Sequence, residues 1–295
     1  MSLQRWRQRA NKLWSHPKPL RFLASRVLWQ ARISQLLTMR LADGIRLRFY
    51  PSSISAALWV EQGARDEDAN FLKLVLRPGD HYIDCGANIG HLAVVARNIV
   101  GPSGSAIAIE PNPRIYQYCV GNLELNAFRD VHALNIALGE EDGTVTISDQ
   151  RADDQNRVGE GKIVVPMRRL DDVSGAGRIA LLKIDVEGYE LQALRGARQT
   201  LERTLVVYCE LSASNAHRFG YTPGDIEQLL LDSGFVLAHA RDNEWVLAER
   251  GVYNTRTSRD EPRTGYNLIA IKQSALSEIR TRLELRGHRL VGHAG

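Results

Sequence analysis

Apolar and polar positions along this chain follow two periods. Residues 1–19 are basic and end in "HPKP", whose prolines stop any helix. From Leu20, apolar residues recur at Leu23, Ala24, Val27, Leu28 and Ala31, which is helical spacing. "TMRLADGIRLRFY" then gives two strand-like runs around Asp43-Gly44. That is a hairpin signal, because a type I′ turn needs positive φ. "DEDANFLKLVL" reads as a helix that stops before Pro78-Gly79.

An alternation follows. "HYIDC" is a short strand running into "GANIG", then the helix "HLAVVARNIV". "SAIAIEPNP" is a second strand, "RIYQYCVGNLELNA" a second helix and "VHALNIALG" a third strand. "TVTI" and "KIVVPM" read as an antiparallel pair around a polar loop, 148–161. "IALLKIDV" is a fourth strand, "YELQALRGARQTLE" a helix and "TLVVYCEL" a fifth strand. "PGDIEQLLLDSG" is a helix, and "FVLAHA" and "NLIAIK" are the last strands. Strands alternating with helices predict an α/β fold with a mainly parallel sheet covered on both faces. The predicted organisation is a basic arm over 1–40, one domain over 41–272, and a C-terminal helix and tail over 273–295.

Composition changes this picture in one respect. Residues 1–42 hold nine Lys or Arg and no acid, leaving the other 253 residues a formal −5. The N-terminus is thus a basic arm on a mildly acidic body. Cys85, Cys119 and Cys209 are far apart, which argues against disulfides and zinc and for a reducing compartment, the cytoplasm. No secretory signal or membrane-spanning run is visible, since Arg21, Arg26 and Arg32 interrupt the apolar stretch.

The candidate chemistry starts at "YIDCGANIG". Asp84 ends a strand, and Gly86, Asn88 and Gly90 precede a helix, so a ligand can approach the backbone closely. Glu110 ends the next strand, where a carboxylate can accept hydrogen bonds from both hydroxyls of a ribose. Dinucleotide sites favour G-x-G-x-x-G against a pyrophosphate. Here the turn begins with an acid, which suits a ligand carrying a positive amine, such as S-adenosylmethionine. The alternatives are an NAD-dependent oxidoreductase at the same turn, or a non-catalytic cofactor-binding protein.

"IDCGANIG", "AIEPNP", "NIALGEEDG", "RRLDDV", "LLKIDVEGYELQALRGA" and "YCEL", in this order, resemble the FkbM-type S-adenosylmethionine-dependent methyltransferases. The resemblance runs from about Leu72 to Lys272. It implies a class I methyltransferase (Rossmann-like) sheet of seven strands, order 3-2-1-4-5-7-6, the last antiparallel. It implies O-methylation of a hydroxyl on a sugar, glycan or secondary metabolite. Asp84, Gly86, Asn88 and Gly90 would hold the methionine end, Glu110 the ribose, and Asn135 to Ala137 would border the adenine. Cys85 departs from the pattern, standing where a small aliphatic residue is more usual.

"LLKIDVEGYE" then poses a question of cost, because acids are expensive at the end of an apolar strand. If that strand runs on, Lys183, Asp185 and Glu187 share a face at the sheet edge where ligands bind. Two carboxylates there can serve as general base for an alcohol, or hold a divalent cation such as Mg2+. Glu210, ending the fifth strand, is a third ligand or an acceptor-binding group. Glu190 reads as a helix-start charge. His217 is a candidate base in the loop after the fifth strand, and Asn156 a candidate acceptor contact. The arm, with Trp6, Trp14 and Trp29 among Arg and Lys, suits either an anionic membrane surface on the inner face or packing against the domain or a second subunit. No nucleic-acid-binding motif is present.

Overall fold

A computed structural model describes residues 18–31, 33–150, 156–248 and 266–292. Helix α1 (Pro19–Gln30) opens with Pro at its first position, where the ring's fixed φ suits a helix start. The hairpin β1 (Thr38–Arg40) and β2 (Arg46–Arg48) turns at Asp43 and Gly44, with φ of +61° and +76°, as its sequence predicts. Helices α2 (Ser53–Val60) and α3 (Asp66–Val75) lead into β3 (His81–Cys85), α4 (His91–Val100), β4 (Ser105–Ile109), α5 (Pro113–Leu125) and β5 (His132–Leu134). A small sheet follows, made of β6 (Ala137–Leu138), β7 (Gly143–Ile147) and β8 (Ile163–Arg168). Then come α6 (Leu170–Val173), β9 (Ile179–Ile184), α7 (Glu190–Arg195), α8 (Arg198–Glu202), β10 (Thr204–Leu211), α9 (Ala213–Arg218), α10 (Pro223–Asp232) and β11 (Phe235–Arg241). The chain closes with β12 (Glu244–Ala248), β13 (Tyr266–Lys272), α11 (Leu276–Glu284) and β14 (Arg289–Val291).

The main sheet runs β5-β4-β3-β9-β10-β13-β11, which is the 3-2-1-4-5-7-6 order of a class I methyltransferase. Strand β13 is antiparallel to β10, as that order requires. Two further strands, β12 and β14, extend the sheet to nine. They are the first difference from the seven-stranded expectation. Alternate residues serve alternate faces. Tyr82, Leu181, Val206 and Tyr208 pack on one side with α3, α4 and α11. Ile83, Leu182, Ile184 and Cys209 pack on the other with α7, α8 and α10.

Two other expectations are corrected. "VHALNIALG" is not one strand, because Asn135 bends the chain. Its Nδ2 donates to Glu110 O and Pro111 O, both at 2.9 Å, and β6 leaves for the small sheet. "YELQALRGARQTLE" breaks at Gly196, where a Cβ would lie 2.0 Å from Gly139 O, so two backbones meet there. The apolar stripe of α1 packs inward only in part: Leu28 meets the core, whereas Leu20, Leu23 and Val27 are 77%, 47% and 56% exposed. The expected C-terminal helix forms as α11 and buries Ile279 and Leu283, and β14 after it joins the sheet.

Arg282 on α11 is buried, donates to Val75 O at 2.7 Å, and pairs with Asp80 and Glu278. Arg282→Ala is expected to cost about 2–3 kcal/mol, because it strips charged hydrogen bonds from Asp80. A lower urea midpoint at unchanged m value is the readout. No helix among the described residues is long and apolar enough to cross a membrane.

Candidate active site

The turn after β3 is held open by backbone geometry. Gly86, Asn88 and Gly90 have φ of +84°, +49° and +78°. Gly86 and Ala87 both donate to Ile109 O at 2.9 Å, which ties the turn to β4. A Cβ on Gly86 would sit 1.8 Å from Asp185 O, so the turn after β3 touches the strand end after β9. Gly86→Ala is therefore expected to abolish cofactor binding and to lower stability by several kcal/mol, through the backbone clash and the left-handed φ together. A thermal melt with titration of S-adenosylhomocysteine checks both.

Glu110 closes the turn from the far side. Its Oε2 accepts from Asn88 N and its Oε1 from Asn112 N, each at 2.9 Å. Asn112 in turn caps α5, accepting from Arg114 N and Ile115 N.

Gly86, Asn88, Glu110 and Asn112 line a cavity of about 460 Å³ at the carboxyl edge of the sheet, whereas Gly90, expected at the cofactor, lies outside that lining. Asp84 lies on its floor at 1% exposure, and neither carboxylate oxygen accepts a hydrogen bond among the described residues. Burial raises its pKa, and Lys183 works against that rise. Lys183, itself 3% exposed, puts Nζ 3.4 Å from Asp84 and 3.3 Å from Asp185. Burial opposes the ammonium, but Asp185 and Asp84 outweigh it and its pKa moves up. The strand register Cys209↔Ile184 brings Glu210 alongside Asp185. The Asp185 charge, and then burial, push the Glu210 carboxyl up to about 7. Arg65, from the turn before α3, reaches the same cavity and lies 2.9 Å from Asp68, which also accepts from Tyr208 OH. Two cations thus stand among four carboxylates, and the surplus is negative.

The remaining candidates divide. Gly86, Asn88, Glu110, Ala137, Asp185, Glu187 and Asn156 line the cavity, whereas Asn135 does not and instead ties the Glu110–Pro111 backbone. His217 is exposed on α9 and outside the lining, because the turn of that helix carries Asn215 inward instead. Glu187 does not continue an extended strand. Strand β9 ends at Ile184, Glu187 has φ +54°, and its Oε2 accepts from Asn215 Nδ2 at 3.2 Å. Glu190 starts helix α7, as expected. It is buried, its Oε1 accepts from Val186 N and Gly188 N, and Tyr221 OH donates to its Oε2 at 2.7 Å. Arg65, His91, Ser53 and Asn215 also line the cavity. His91 directly follows the glycine turn, a signal its sequence carries; burial and then Arg65 drive its pKa down to about 3. Arg65 has no such signal.

Asp84 fits a cationic ligand and not a pyrophosphate, since it is a buried acid beside a backbone cradle, held by the Lys183 ammonium only at 3.4 Å. The same residues do not fit a divalent metal. Asp84 and Asp185 already face the Lys183 ammonium, and no group of three or more His, Cys, Asp or Glu among the described residues is arranged to hold a metal ion.

Methyltransferase sdnD of Sordaria araneosa is 29% identical over 251 residues, covering 70% of this chain and 93% of that protein. Hexuronic acid methyltransferase AglP of Haloferax volcanii is 26% identical over 220 residues, covering 70% and 87%. Among solved structures, a SAM-dependent O-methyltransferase from Thermotoga maritima aligns with a TM-score of 0.41 at 14% identity, over 70% of this chain and 64% of that one. The methyltransferase FkbM domain matches residues 84–237, more than half of the chain. That match opens on the buried Asp84, takes in the Lys183–Asp185 pair and ends within β11, and on it the chain belongs to the FkbM methyltransferase family.

Proposed function

We propose that this protein transfers the methyl group of S-adenosylmethionine to a hydroxyl oxygen of a sugar, glycan or small secondary metabolite. The observation that carries the proposal is Glu210. It is a carboxylate tuned toward neutral pH by Asp185, in the same cavity as the Asp84–Gly86 turn. When bound, S-adenosylmethionine supplies an electrophilic methyl group on a sulfonium. Asp84 and the backbone around Gly86 would hold its amino-acid end, Glu110 its ribose, and Ala137 and Leu138 would border its base. The surplus negative charge favours that cationic cofactor over its neutral product.

The acceptor's side of the reaction needs its proton removed. Glu210 takes that proton, and a base with a pKa near the working pH does this best. Arg65, Ser212 and Asn215 supply donors for a hydroxyl-rich acceptor, and the name of the Haloferax relative supports a sugar. Calorimetry with S-adenosylhomocysteine and with NAD tests the cofactor; binding of NAD alone would sink the proposal. In Asp185→Asn, loss of the neighbouring charge is expected to lower the Glu210 pKa. The acidic limb of the pH–rate profile then shifts to lower pH, with affinity for S-adenosylhomocysteine kept within a few-fold. An unmoved limb removes Asp185 from that role.

A further inference from the structure

Among the described residues seven large apolar side chains are exposed, and five of them fall within one short stretch: Leu20, Leu23, Val27, Ile33 and Leu36. The first three lie at i, i+3 and i+7 on α1, one face of the helix. Arg21 and Arg26 flank that face. Arg26 stands over the rings of Phe22 and Trp29 at 5.1 and 5.8 Å, and Arg21 over Trp59 at 5.8 Å. Those ring contacts hold both guanidinium groups at the edge of the apolar stripe.

We propose that α1 and the turn after it form a docking face for an anionic lipid bilayer. An apolar stripe bordered by arginines and aromatics matches the depth profile of such a surface, with acyl chains under anionic headgroups. Charge decides against the other occupants. The preceding segment adds Arg5, Arg7, Arg9 and Lys12 and no acid, so it reinforces the positive field instead of neutralising it. A second copy docking through the same patch by two-fold symmetry would set Arg21 and Arg26 of each copy against those of the other.

The helix that carries this face packs on an element of the cavity wall. Helix α2 contributes Ser53, Ile54 and Ala57 to the cavity wall, and its Trp59 lies beneath Arg21 of α1. A bilayer against α1 therefore brings the cavity wall close to the headgroups, which suits an acceptor carried on a lipid. That last consequence rests on the methyl-transfer reading of the cavity; the docking face does not.

The test is co-sedimentation of the full chain with vesicles of phosphatidylcholine alone and of phosphatidylcholine with about 30% phosphatidylglycerol. The expected result is binding to the anionic vesicles only, weakened by salt. Leu20→Asp with Leu23→Asp and Val27→Asp is expected to weaken it at least tenfold. Arg21→Glu with Arg26→Glu is expected to remove the preference for anionic lipid. These side chains are exposed, so S-adenosylhomocysteine affinity by calorimetry stays at the wild-type value and reports an intact fold. Wild-type protein that ignores anionic vesicles overturns the proposal. So does a triple variant that sediments as well as wild type, or one that turns a wild-type dimer into a monomer by light scattering. Vesicle binding without S-adenosylhomocysteine binding would leave the docking face standing and remove the methyl-transfer reading alone.

Discussion

Glu210→Gln is expected to lower kcat by about 10²- to 10⁴-fold, the usual worth of a positioned general base. The change keeps the shape of the side chain and removes only the ability to take a proton. Affinity for S-adenosylhomocysteine is expected to change little, since Asp84, Glu110 and the glycine turn are untouched. The wild-type pH dependence follows from the same group. A carboxyl pushed up to about 7 is largely protonated at pH 6 and largely ionised at pH 8, so kcat rises with pH across that window. In Glu210→Gln the residual rate loses this limb. A variant with wild-type kcat, or with the limb intact, assigns the proton to another group.

The second large effect is on stability. Lys183→Met is expected to destabilise the fold by about 3–5 kcal/mol, because it leaves the buried Asp84 and the partly buried Asp185 together without their counter-charge. The deficit should grow with pH. Burial already raises the Asp84 pKa, and losing Lys183 raises it further above its unfolded value. The folded state then binds more protons than the unfolded one, so stability falls as pH rises. Urea melts at pH 5.5 and 8 measure this. Adding Asp84→Asn to Lys183→Met should recover part of the loss, whereas equal deficits at both pH values would mean the ammonium is not what neutralises Asp84.

Much of this was legible in the sequence, for definable reasons. The β3–turn–α4 unit announces itself because positive φ needs Gly or Asn, and Gly86, Asn88 and Gly90 stand where it is needed. The strand order follows from the alternation of periods plus a family resemblance. What stayed hidden depends on contacts between distant segments. The bend at Asn135 comes from hydrogen bonds to a backbone 24 and 25 residues earlier. Glu190 starts α7 as its position predicts, but its burial stayed hidden because Tyr221, which shares it, is 31 residues away. Arg65 reaches the cavity only through the docking of α3. His217 was chosen for its residue type, yet one helical turn sends Asn215 to the cavity and leaves His217 in solvent. Strand β12 and the edge strand β14 are short and weakly patterned, so they gain definition only once a sheet exists for them to extend.

The close approach of Gly86 to Asp185 has a bearing on how such an enzyme diversifies. Backbone meets backbone at this point, with no side chain between. Donor-side turn and reaction-side strand end therefore move as one body, and their separation cannot drift as surface residues change. New acceptors can then be recruited by altering α2, the Arg65 turn or the segment after β10, with the chemistry left in register. Selection on substrate range and selection on rate act on different parts of the chain, and that single glycine is the hinge pin that keeps them apart.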